Sequence, residues 1–511
     1  MVSSECEPFA KTGGLADVVD ALARALGELG HEVDVYVPRY RGLQPPGSPE
    51  RSLLTVPLPA PPGASGSHGI TVGEVVEVLT ARADGYRLRL VDHAASFDRA
   101  AYYGEGGSDY PDNGARFALL GRAVLEAIRA EGGRVAVLHG HDWQAGPAVL
   151  LRDSVYGSDP ALTGMATVVT CHNLAYHGWV PRERAWALGL PPDVGMADGV
   201  DLLREEVARA DIVTTVSPNY AAQSMKPDCG GGLDDVLRAR GDTYTGILNG
   251  IDSRLWDPET DEVLTERFSS VHPAGKLACK RDLAFRLGID VFPAPGDARG
   301  ARDDGRSGQG DGRGERGAPL FGMVGRLDPQ KGLDLLAGAA EAMLADGARI
   351  VVLGTGDERL VRSLRLLAAC RPDRVAILDR FDRDEARRIY AGSDLLLMPS
   401  WSEPCGQSQM IAMRYGTIPI VRSTGGLADT VTDDDARPDE GDGFVFLPAE
   451  PSALAAAARR AILAYHDDYR WAALVARAMH RNFSWAVSAP RYVEAYERAV
   501  AIRLRSERGV R

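Results

Sequence analysis

An eight-residue phrase, TGGLADVV at 12–19, recurs near the other end of the chain as TGGLADTV at 424–431, with seven of the eight letters unchanged. In each copy, two adjacent glycines (Gly13–Gly14 and Gly425–Gly426) allow the backbone to turn tightly and a ligand to approach it closely. The letters LAD that follow begin a predicted helix, whose first backbone N–H groups have no partner inside the helix and favour anions. The repeated phrase therefore predicts two anion-binding loops.

One copy alone is explained equally well as an ordinary turn before a helix. Two near-identical copies, one in each half of the chain, favour a single ligand that is bound by helix ends from two domains. A third, looser version, GGGLDDVL at 230–237, fits another helix start and an acceptor loop equally well.

Cationic side chains stand where a phosphate ligand would need them. Arg326 and Lys331 belong to GRLDPQKG (325–332), which directly follows a predicted strand. Open α/β sheets bind their ligands at the carboxyl ends of strands, and arginine offers a bidentate fork where lysine offers a point charge. Most such pairs are solvated surface cations, but the flanking glycines favour a phosphate-binding interpretation. Lys11, just before the first glycine loop, is a third candidate.

A carboxylate follows another predicted strand, DLLLMPS (394–400). Glu403, in SWSEPCGQSQ, is suited to accept hydrogen bonds from sugar hydroxyls, and the N–H groups after Gly406 begin a further predicted helix. A lone glutamate here would more often be a solvated helix cap. Its position at a strand end, beside Pro404 and Gly406, favours a role in a binding site.

Histidines cluster at the end of the predicted strand RVAVLH, in LHGHDWQAG (138–146). The pair His139 and His141 would fit zinc, but no third ligand stands at a zinc-site spacing, so the pattern favours a hydrogen-bonding His141 that lines a polar site. The signatures of metalloproteases and of serine hydrolases are absent from the sequence.

These residues lie in two successive series of predicted buried strands that alternate with predicted helices. Two such series predict two doubly wound α/β domains. We place the first at 1–245, the second at 246–485, and a carboxy-terminal helix at 486–511 that packs back on the first domain. Only MVSS precedes Glu5, so the first strand is either very short or begins upstream of this sequence.

Composition excludes several classes of function. The 511 residues carry a formal net charge of −13, which argues against a general nucleic-acid-binding surface. No apolar run is long enough to span a membrane and no secretory signal pattern is present, and the six scattered cysteines fit a reduced, cytoplasmic protein. Residues 296–318 are rich in glycine, arginine and acidic residues, and they predict a disordered surface loop. An RNA-binding interpretation of this loop is disfavoured because its charges cancel and it has no aromatic residue.

Together these stretches resemble the bacterial glycogen synthases and plant starch synthases, glycosyltransferase family 5. The resemblance runs through nearly the whole chain, in KTGGLADVV, HGHDW, CHNLAYHG, TTVSPNYA, GRLDPQKGLDLL, MPSWSEPCG and RYGTIPIVRSTGGLADTV. It implies the GT-B fold, in which two Rossmann-like domains face each other across a deep cleft. It also implies transfer of glucose from ADP-glucose to the non-reducing 4-OH of an α-1,4-glucan such as glycogen, with retention of configuration and without a metal or another cofactor.

The resemblance also implies roles for individual residues. Arg326 and Lys331 would neutralise the leaving phosphate, Glu403 would hold the hydroxyls of the donor glucose, and His141 would bind its 6-OH. Donor-binding positions are implied at Lys11, Gly13, Gly14, Asn249, Phe381 (for the adenine), Cys405, Gly406, Gln407, Ser408, Gly425 and Gly426.

Other functions stay open at this stage. A related retaining transferase that uses UDP-glucose or another acceptor would share these residues, and so would a catalytically inactive glucan-binding homologue. A dinucleotide-dependent oxidoreductase is disfavoured, because no G-x-G-x-x-G with a downstream acidic residue follows a strand. The sequence leaves the oligomeric state undecided.

Overall fold

The computed structural model describes residues 1–60, 70–132, 135–292 and 316–509. Its strands are short runs of apolar residues, such as ATVVTC (166–171), in which all six residues are buried. The chain divides into an amino-terminal unit, Met1–Gly250 with Trp485–Arg511, and a carboxy-terminal unit, Ile251–Ser484. The boundary predicted from the sequence, between 245 and 246, lies just before the observed one.

The amino-terminal unit is a twisted sheet covered by helices. Its strands are β1 (Asp34–Pro38), β2 (Glu50–Pro59), β3 (Ile70–Arg82), β4 (Arg87–Asp92), β5 (Gly104–Glu105), β6 (Ser108–Asp109), β7 (Val137–His141), β8 (Ala166–Cys171), β9 (Trp179–Pro181), β10 (Gly199–Asp201), β11 (Ile212–Thr215) and β12 (Tyr244–Gly246). Its helices up to residue 250 are α1 (Gly14–Glu28), α2 (Ala94–Phe97), α3 (Asn113–Glu131), α4 (Gly146–Asp153), α5 (Arg182–Ala185), α6 (Leu202–Arg209), α7 (Pro218–Ser224) and α8 (Asp234–Ala239).

Val2 joins the two halves of the main sheet of this unit. Its backbone forms parallel bridges to Tyr36 of β1 on one side and to Gly140 of β7 on the other. The strand order is therefore β2-β3-β4-β1-Val2-β7-β8-β11-β12. Because the chain first leaves Val2 for β1 and later returns on its other side as β7, the topological switch point lies between Val2 and β7. Open α/β sheets bind their ligands at such a point.

The antiparallel pairing of β2, β3 and β4 in the main sheet does not follow from the sequence pattern. β3 pairs antiparallel with both β2 and β4, whereas the sequence predicts only parallel strands. The edge strand β2 is largely exposed, so it lacks the buried apolar run by which the parallel strands are recognised.

The carboxy-terminal unit has a six-stranded, fully parallel sheet. Its strands are β13 (Leu320–Val324), β14 (Arg349–Leu353), β15 (Val375–Leu378), β16 (Leu395–Met398), β17 (Ile418–Arg422) and β18 (Phe444–Phe446), and its helices are α9 (Gly275–Leu287), α10 (Leu333–Ala345), α11 (Glu358–Cys370), α12 (Arg383–Gly392), α13 (Ser408–Arg414), α14 (Gly425–Thr430), α15 (Pro451–Tyr465) and α16 (Asp468–His480). The order β15-β14-β13-β16-β17-β18 is that of a Rossmann fold, with its switch point between β13 and β16. The prediction of two doubly wound domains is confirmed.

The last helix, α17 (Trp485–Gly509), belongs to the amino-terminal unit. Its Trp485 and Tyr492 share one buried apolar cluster with Leu22 of α1 and Val168 of β8. The Tyr496 hydroxyl lies 2.8 Å from Nδ1 of His139, so this helix also packs against the strand that carries the histidine cluster.

The predicted disordered loop at 296–318 lies outside the described residues except at its end. Residues 316–318 are held in place, because Lys280 donates hydrogen bonds to the carbonyl oxygens of Arg316 at 2.6 Å and Ala318 at 2.8 Å. For these three residues the prediction of disorder is wrong, since the Tyr465 hydroxyl also donates to the Gly317 carbonyl oxygen, at 3.1 Å. Among the described residues, no helix is long and apolar enough to cross a membrane.

Candidate functional site

The switch point of the carboxy-terminal unit brings together Lys331 and Glu403. Lys331 ends the 3₁₀ turn Pro329–Lys331 after β13, and Glu403 follows β16. The Lys331 Nζ lies 2.6 Å from Oε2 of Glu403, and the Ser400 hydroxyl donates to the same oxygen at 3.1 Å. The side chain of Glu403 is 6% exposed and that of Lys331 20% exposed. A buried carboxylate thus has its charge balanced by a cation that a ligand can reach.

Arg326 lies on the same connection but is more open. Its side chain is half exposed, and its Nη1 lies 3.2 Å from Oδ2 of Asp328. Exposed ion pairs of this kind contribute little to stability. The Arg326 guanidinium can therefore exchange Asp328 for an anionic ligand at little cost.

The second glycine loop packs directly against the segment that contains Glu403. The Gly426 N–H donates to the carbonyl oxygens of Glu403 at 3.1 Å and Pro404 at 3.2 Å. A Cβ on Gly425 would lie 1.9 Å from the Glu403 carbonyl oxygen, and a Cβ on Gly426 would lie 2.3 Å from that of Cys405. Gly425 also has φ of +45°, so the loop needs glycine for two independent reasons.

The turn at 405–408 is tied to the same loop by Gln409. Its side-chain amide donates to the carbonyl oxygen of Cys405 and to the Thr430 hydroxyl, both at 3.1 Å. Gly406 has φ of +71° and Ser408 bonds the Tyr390 hydroxyl at 3.0 Å. Cys405 is buried, whereas Gly406, Gln407 and Ser408 are half-buried. The structure thus gathers Lys331, Glu403, the turn at 405–408 and the glycines at 425–426 at one sheet edge.

Phe381 stands apart from this group. It follows β15, the edge strand of the sheet, and its side chain is 79% exposed. An exposed ring of this size offers a flat apolar face to a ligand.

The first glycine loop lies at the switch point of the amino-terminal unit and is held by Glu5. This buried carboxylate accepts hydrogen bonds from the Thr12 N–H at 2.5 Å, the Gly13 N–H at 3.2 Å and the Tyr103 hydroxyl at 2.5 Å. The Gly13 N–H is therefore turned inward, away from any ligand outside. Gly14 begins α1 on the exposed side of the loop.

Lys11 is already engaged within its own unit. Its Nζ lies 2.6 Å from Oδ1 of Asp17 and 3.4 Å from Oε2 of Glu7. An anionic ligand would have to replace these carboxylates before it could bind the Lys11 ammonium.

His141, the last residue of β7, is fully buried. Its Nδ1 lies 3.0 Å from Nε2 of His172, which follows β8. Burial lowers the pKa of His141 well below its usual range and lowers the pKa of His172 to about 3. The two rings are therefore neutral at pH 7 and share one N–H···N hydrogen bond. The His172 residue as a whole is half-buried.

Asp142 continues this cluster in a strained conformation. Its φ of +55° is the only positive φ at a non-glycine position among the described residues. Its carboxylate accepts a hydrogen bond from the backbone N–H of His172 at 2.6 Å, and burial raises the pKa of Asp142 to about 7. Strained and electrostatically perturbed residues of this kind concentrate at functional sites.

Asn249 lies after β12 and is buried, and its Oδ1 has no hydrogen-bond partner among the described residues. The Nε2 of His141 also has no hydrogen-bond partner among the described residues.

Within the described part of the chain, no group of three or more His, Cys, Asp or Glu side chains is arranged to hold a metal ion.

The sequence predictions did not select Glu5, His172 and Asp142, which the structure places beside the predicted Gly13 and His141. All three stand in or beside stretches that the sequence singles out, ECEPFAKTGG, CHNLAYHG and HGHDW. The signal that could have found them is the strand end, because His172 stands directly after ATVVTC just as His141 stands at the end of its own strand.

Comparisons with known proteins cover both units. The family model described as the starch synthase catalytic domain matches residues 1–239, and that described as glycosyl transferases group 1 matches residues 318–463. A glycogen synthase of Syntrophotalea carbinolica is 39% identical over 508 residues, covering 98% of this chain and 99% of that protein. One of Anaeromyxobacter dehalogenans is 42% identical over 505 residues, covering 97% and 98%.

Solved structures show the same relationship. The catalytic domain of starch synthase IV from Arabidopsis thaliana, bound to ADP and acarbose, matches with a TM-score of 0.81 and 32% identity over 98% of each chain. Sucrose-phosphate synthase from Thermosynechococcus elongatus matches with a TM-score of 0.59 at 18% identity over 98% of each chain, a likeness in fold alone.

Proposed function

Since the chain belongs to the glycogen synthase and starch synthase family and has its GT-B fold, we propose that it transfers glucose from ADP-glucose to the non-reducing 4-OH of an α-1,4-glucan. The observation that carries this proposal is the Lys331–Glu403 pair at the switch point of the carboxy-terminal unit. It combines a carboxylate suited to sugar hydroxyls with a cation suited to phosphate. The family comparisons favour neither a different acceptor nor an inactive homologue.

The proposed reaction breaks the bond between the anomeric carbon and the diphosphate oxygen while the acceptor 4-OH oxygen bonds to that carbon. Attack comes from the face of departure, which retains configuration, and the hydroxyl proton passes to a phosphate oxygen of the departing ADP. Negative charge grows on the diphosphate as the glucose becomes oxocarbenium-like. Arg326 and Lys331 stabilise that charge more in the transition state than in the ground state, which lowers the barrier. We propose that these cations take the role that a metal has in other transferases.

Glu403 is the proposed partner of the donor glucose hydroxyls. When the diphosphate attracts Lys331, the Glu403 carboxylate loses part of its ion pair and gains hydrogen bonds from the sugar in exchange. The half-buried turn at 406–408 and the glycines at 425–426 shape the same edge, and Phe381 offers its exposed ring to the adenine.

In the amino-terminal unit, we propose that Lys11 and the Gly13–Gly14 loop contact the donor diphosphate and that Asn249 lies in the sugar pocket. His141 is the proposed partner of the 6-OH of the donor glucose, because His172 fixes its Nδ1 and its Nε2 has no hydrogen-bond partner among the described residues. The proposed location is the cytoplasm, in keeping with six free cysteines.

The test is transfer of label from radiolabelled ADP-glucose or UDP-glucose to glycogen by the purified chain. We expect incorporation from ADP-glucose to exceed that from UDP-glucose, and the Lys331→Ala substitution to lower turnover by about two orders of magnitude or more. Arg437→Ala, which removes an exposed cation of the same unit, serves as the control. Absence of incorporation, or a Lys331→Ala variant with unchanged turnover, would contradict the proposal.

A further inference from the structure

Glu206 is a buried acid for which the proposed reaction has no role. It lies on α6 and is 0% exposed, and neither of its carboxyl oxygens has a hydrogen-bond partner among the described residues. Buried carboxyl groups are almost always hydrogen-bonded or paired with a cation. An exception of this kind needs a physical explanation.

The carboxyl group of Glu206 fills a space that two glycines leave open. A Cβ on Gly146 would lie 3.3 Å from Cδ of Glu206, and a Cβ on Gly140 would lie 3.9 Å from its Oε2. Gly140 is in β7 and Gly146 begins α4, so Glu206 lies against both ends of the turn that contains His141 and Asp142. That turn is the one whose backbone is strained at Asp142.

The ionisable groups that act on Glu206 offer it no positive charge. They are Asp142 after β7 and Asp201 before α6, and the Cys171 thiol of β8 also lies within electrostatic reach. Asp201 already holds His177 at 2.6 Å. Burial, reinforced by these two carboxylates, raises the pKa of Glu206 well above its usual range.

The charged residues of the neighbouring helices are engaged elsewhere. On α4, the Arg152 guanidinium donates to Asp153 at 2.6 Å. On α8, Asp235 pairs with Arg204, and Asp234 lies 2.7 Å from Arg238. Glu206 is therefore at its lowest free energy as an uncharged carboxylic acid.

We propose that Glu206 is a positioning residue: as an uncharged acid it supports the turn that carries His141 and Asp142, and its ionisation displaces that turn from its working geometry. Ionised, it would place an unpaired charge under the turn and a second negative charge beside Asp142. Neighbouring acids that interact in this way do not ionise independently. The catalytic part of this inference rests on the proposed function, but its folding part does not.

The first measurement is the thermal unfolding midpoint, Tm, of the full chain and its Glu206→Gln variant between pH 5 and pH 9. Glutamine keeps the shape of the uncharged acid and cannot ionise. Because the folded-state pKa of Glu206 is raised above its unfolded value, the wild-type chain loses stability as pH rises between those two values. We expect the variant to match the wild-type Tm near pH 5 and to exceed it by about 2–4 °C near pH 8.

The matched control is Glu205→Gln, which removes a carboxylate from the adjacent position of the same helix. Glu205 is paired with Arg209 at 3.2 Å, so we expect the Tm of this variant not to rise relative to wild type as the pH increases. A Glu206→Gln variant whose Tm difference from wild type is constant with pH would overturn the inference. A variant whose Tm falls further below that of wild type as the pH rises would also overturn it, because the ionised carboxylate would then stabilise the fold.

The second measurement is the pH dependence of kcat for glucose transfer. We expect wild type and Glu206→Gln to agree within about twofold near pH 6, where the inference has Glu206 uncharged in the wild-type chain. On the alkaline side, the fall in kcat is expected at a higher pH in the variant, by about one pH unit or more. Identical alkaline limbs would overturn the positioning role. If the chain transfers no glucose at all, the proposed function fails, and the Tm measurement still decides the charge state of Glu206.

Discussion

The two copies of TGGLAD have the same letters but use their glycines for different physical reasons. In the first copy, Gly13 is extended at φ −152°, and a Cβ placed on it would meet nothing within 4 Å. In the second, Cβ atoms on Gly425 and Gly426 would collide with the backbone at 1.9 and 2.3 Å. Packing of the protein itself therefore requires the second pair, whereas no contact within the protein accounts for Gly13.

The copies also differ in what accepts their N–H groups. A buried side chain, Glu5, holds Thr12 and Gly13 in the first copy, whereas main-chain carbonyl groups at 403 and 404 hold Gly426 in the second. A side-chain acceptor can be removed by one substitution and a main-chain acceptor cannot. The comparison teaches that identical letters do not fix the backbone: Gly13 is extended, its counterpart Gly425 has φ of +45°, and the tertiary contacts differ with them.

The largest effect is expected from Gly425→Ala. The new Cβ would overlap the Glu403 carbonyl oxygen, and alanine at a positive φ costs a further ~1–2 kcal/mol. We expect the free energy of unfolding to fall by roughly 2–5 kcal/mol, as measured by urea denaturation. An unchanged unfolding free energy would show that the second loop is as open as the first.

Glu5→Ala tests the support of the first copy. It removes the acceptor of the Thr12 and Gly13 N–H groups and leaves Ser4 as the remaining partner of the Tyr103 hydroxyl. We expect a loss of about 2–3 kcal/mol in the free energy of unfolding, since hydrogen bonds to charged groups are the stronger ones. Tyr103→Phe, which removes one donor and keeps the carboxylate, should cost about half as much. Equal losses in the two variants would mean that Glu5 does not support the loop.

Local signals explain what the sequence could predict. The strands β13 to β18 and the pair Gly425–Gly426 can each be recognised from a short continuous stretch of sequence. Because the strands are parallel, the loops that follow them lie at the same edge of the sheet. The grouping of Lys331 with Glu403 follows from the same rule, because both stand directly after strands that meet at the switch point.

Contacts between segments that are distant in the chain account for the features that the sequence could not predict. The Glu5 carboxylate accepts a hydrogen bond from Tyr103, which is nearly a hundred positions away in the sequence, and no local sequence pattern predicts this contact. The pairing of His141 with His172 has no local signal either, because it depends on the alignment of β7 with β8. The exposed β2 carries no burial pattern from which its pairing could be inferred.

Gly13→Ala is expected to leave folding intact and to affect ligand binding. Its backbone is extended and its surroundings are open, so the free energy of unfolding should change by no more than ~0.5 kcal/mol. If a donor diphosphate approaches this loop as proposed, the methyl group should raise the KM for ADP-glucose about tenfold, which corresponds to ~1.4 kcal/mol. The measurement is steady-state kinetics beside urea denaturation. Unchanged KM and stability together would mean that neither the fold nor the ligand uses this glycine.

The smallest effect is expected in the pH dependence of stability. It concerns the amino-terminal unit, which contains the first copy, and its control lies in the carboxy-terminal unit, which contains the second. In the amino-terminal unit, His177 has Asp201 at 2.6 Å from its Nδ1 and the Leu174 carbonyl at 3.0 Å from its Nε2. The hydrogen bond to Asp201 raises the pKa of His177. A raised folded-state pKa contributes stability that is fully present below the unfolded value and is lost as pH rises through the folded one.

His177→Asn should therefore cost about 0.5–1 kcal/mol of unfolding free energy at pH 6, and the cost should shrink as the pH is raised to 9. Urea denaturation across this range measures the difference, and His480→Asn, an exposed position of the carboxy-terminal unit, is the control. A cost that stays constant with pH would show that His177 binds Asp201 as a neutral ring. The pH dependence of the amino-terminal unit would then come from its other titrating groups, among them the buried acids Asp142 and Glu206.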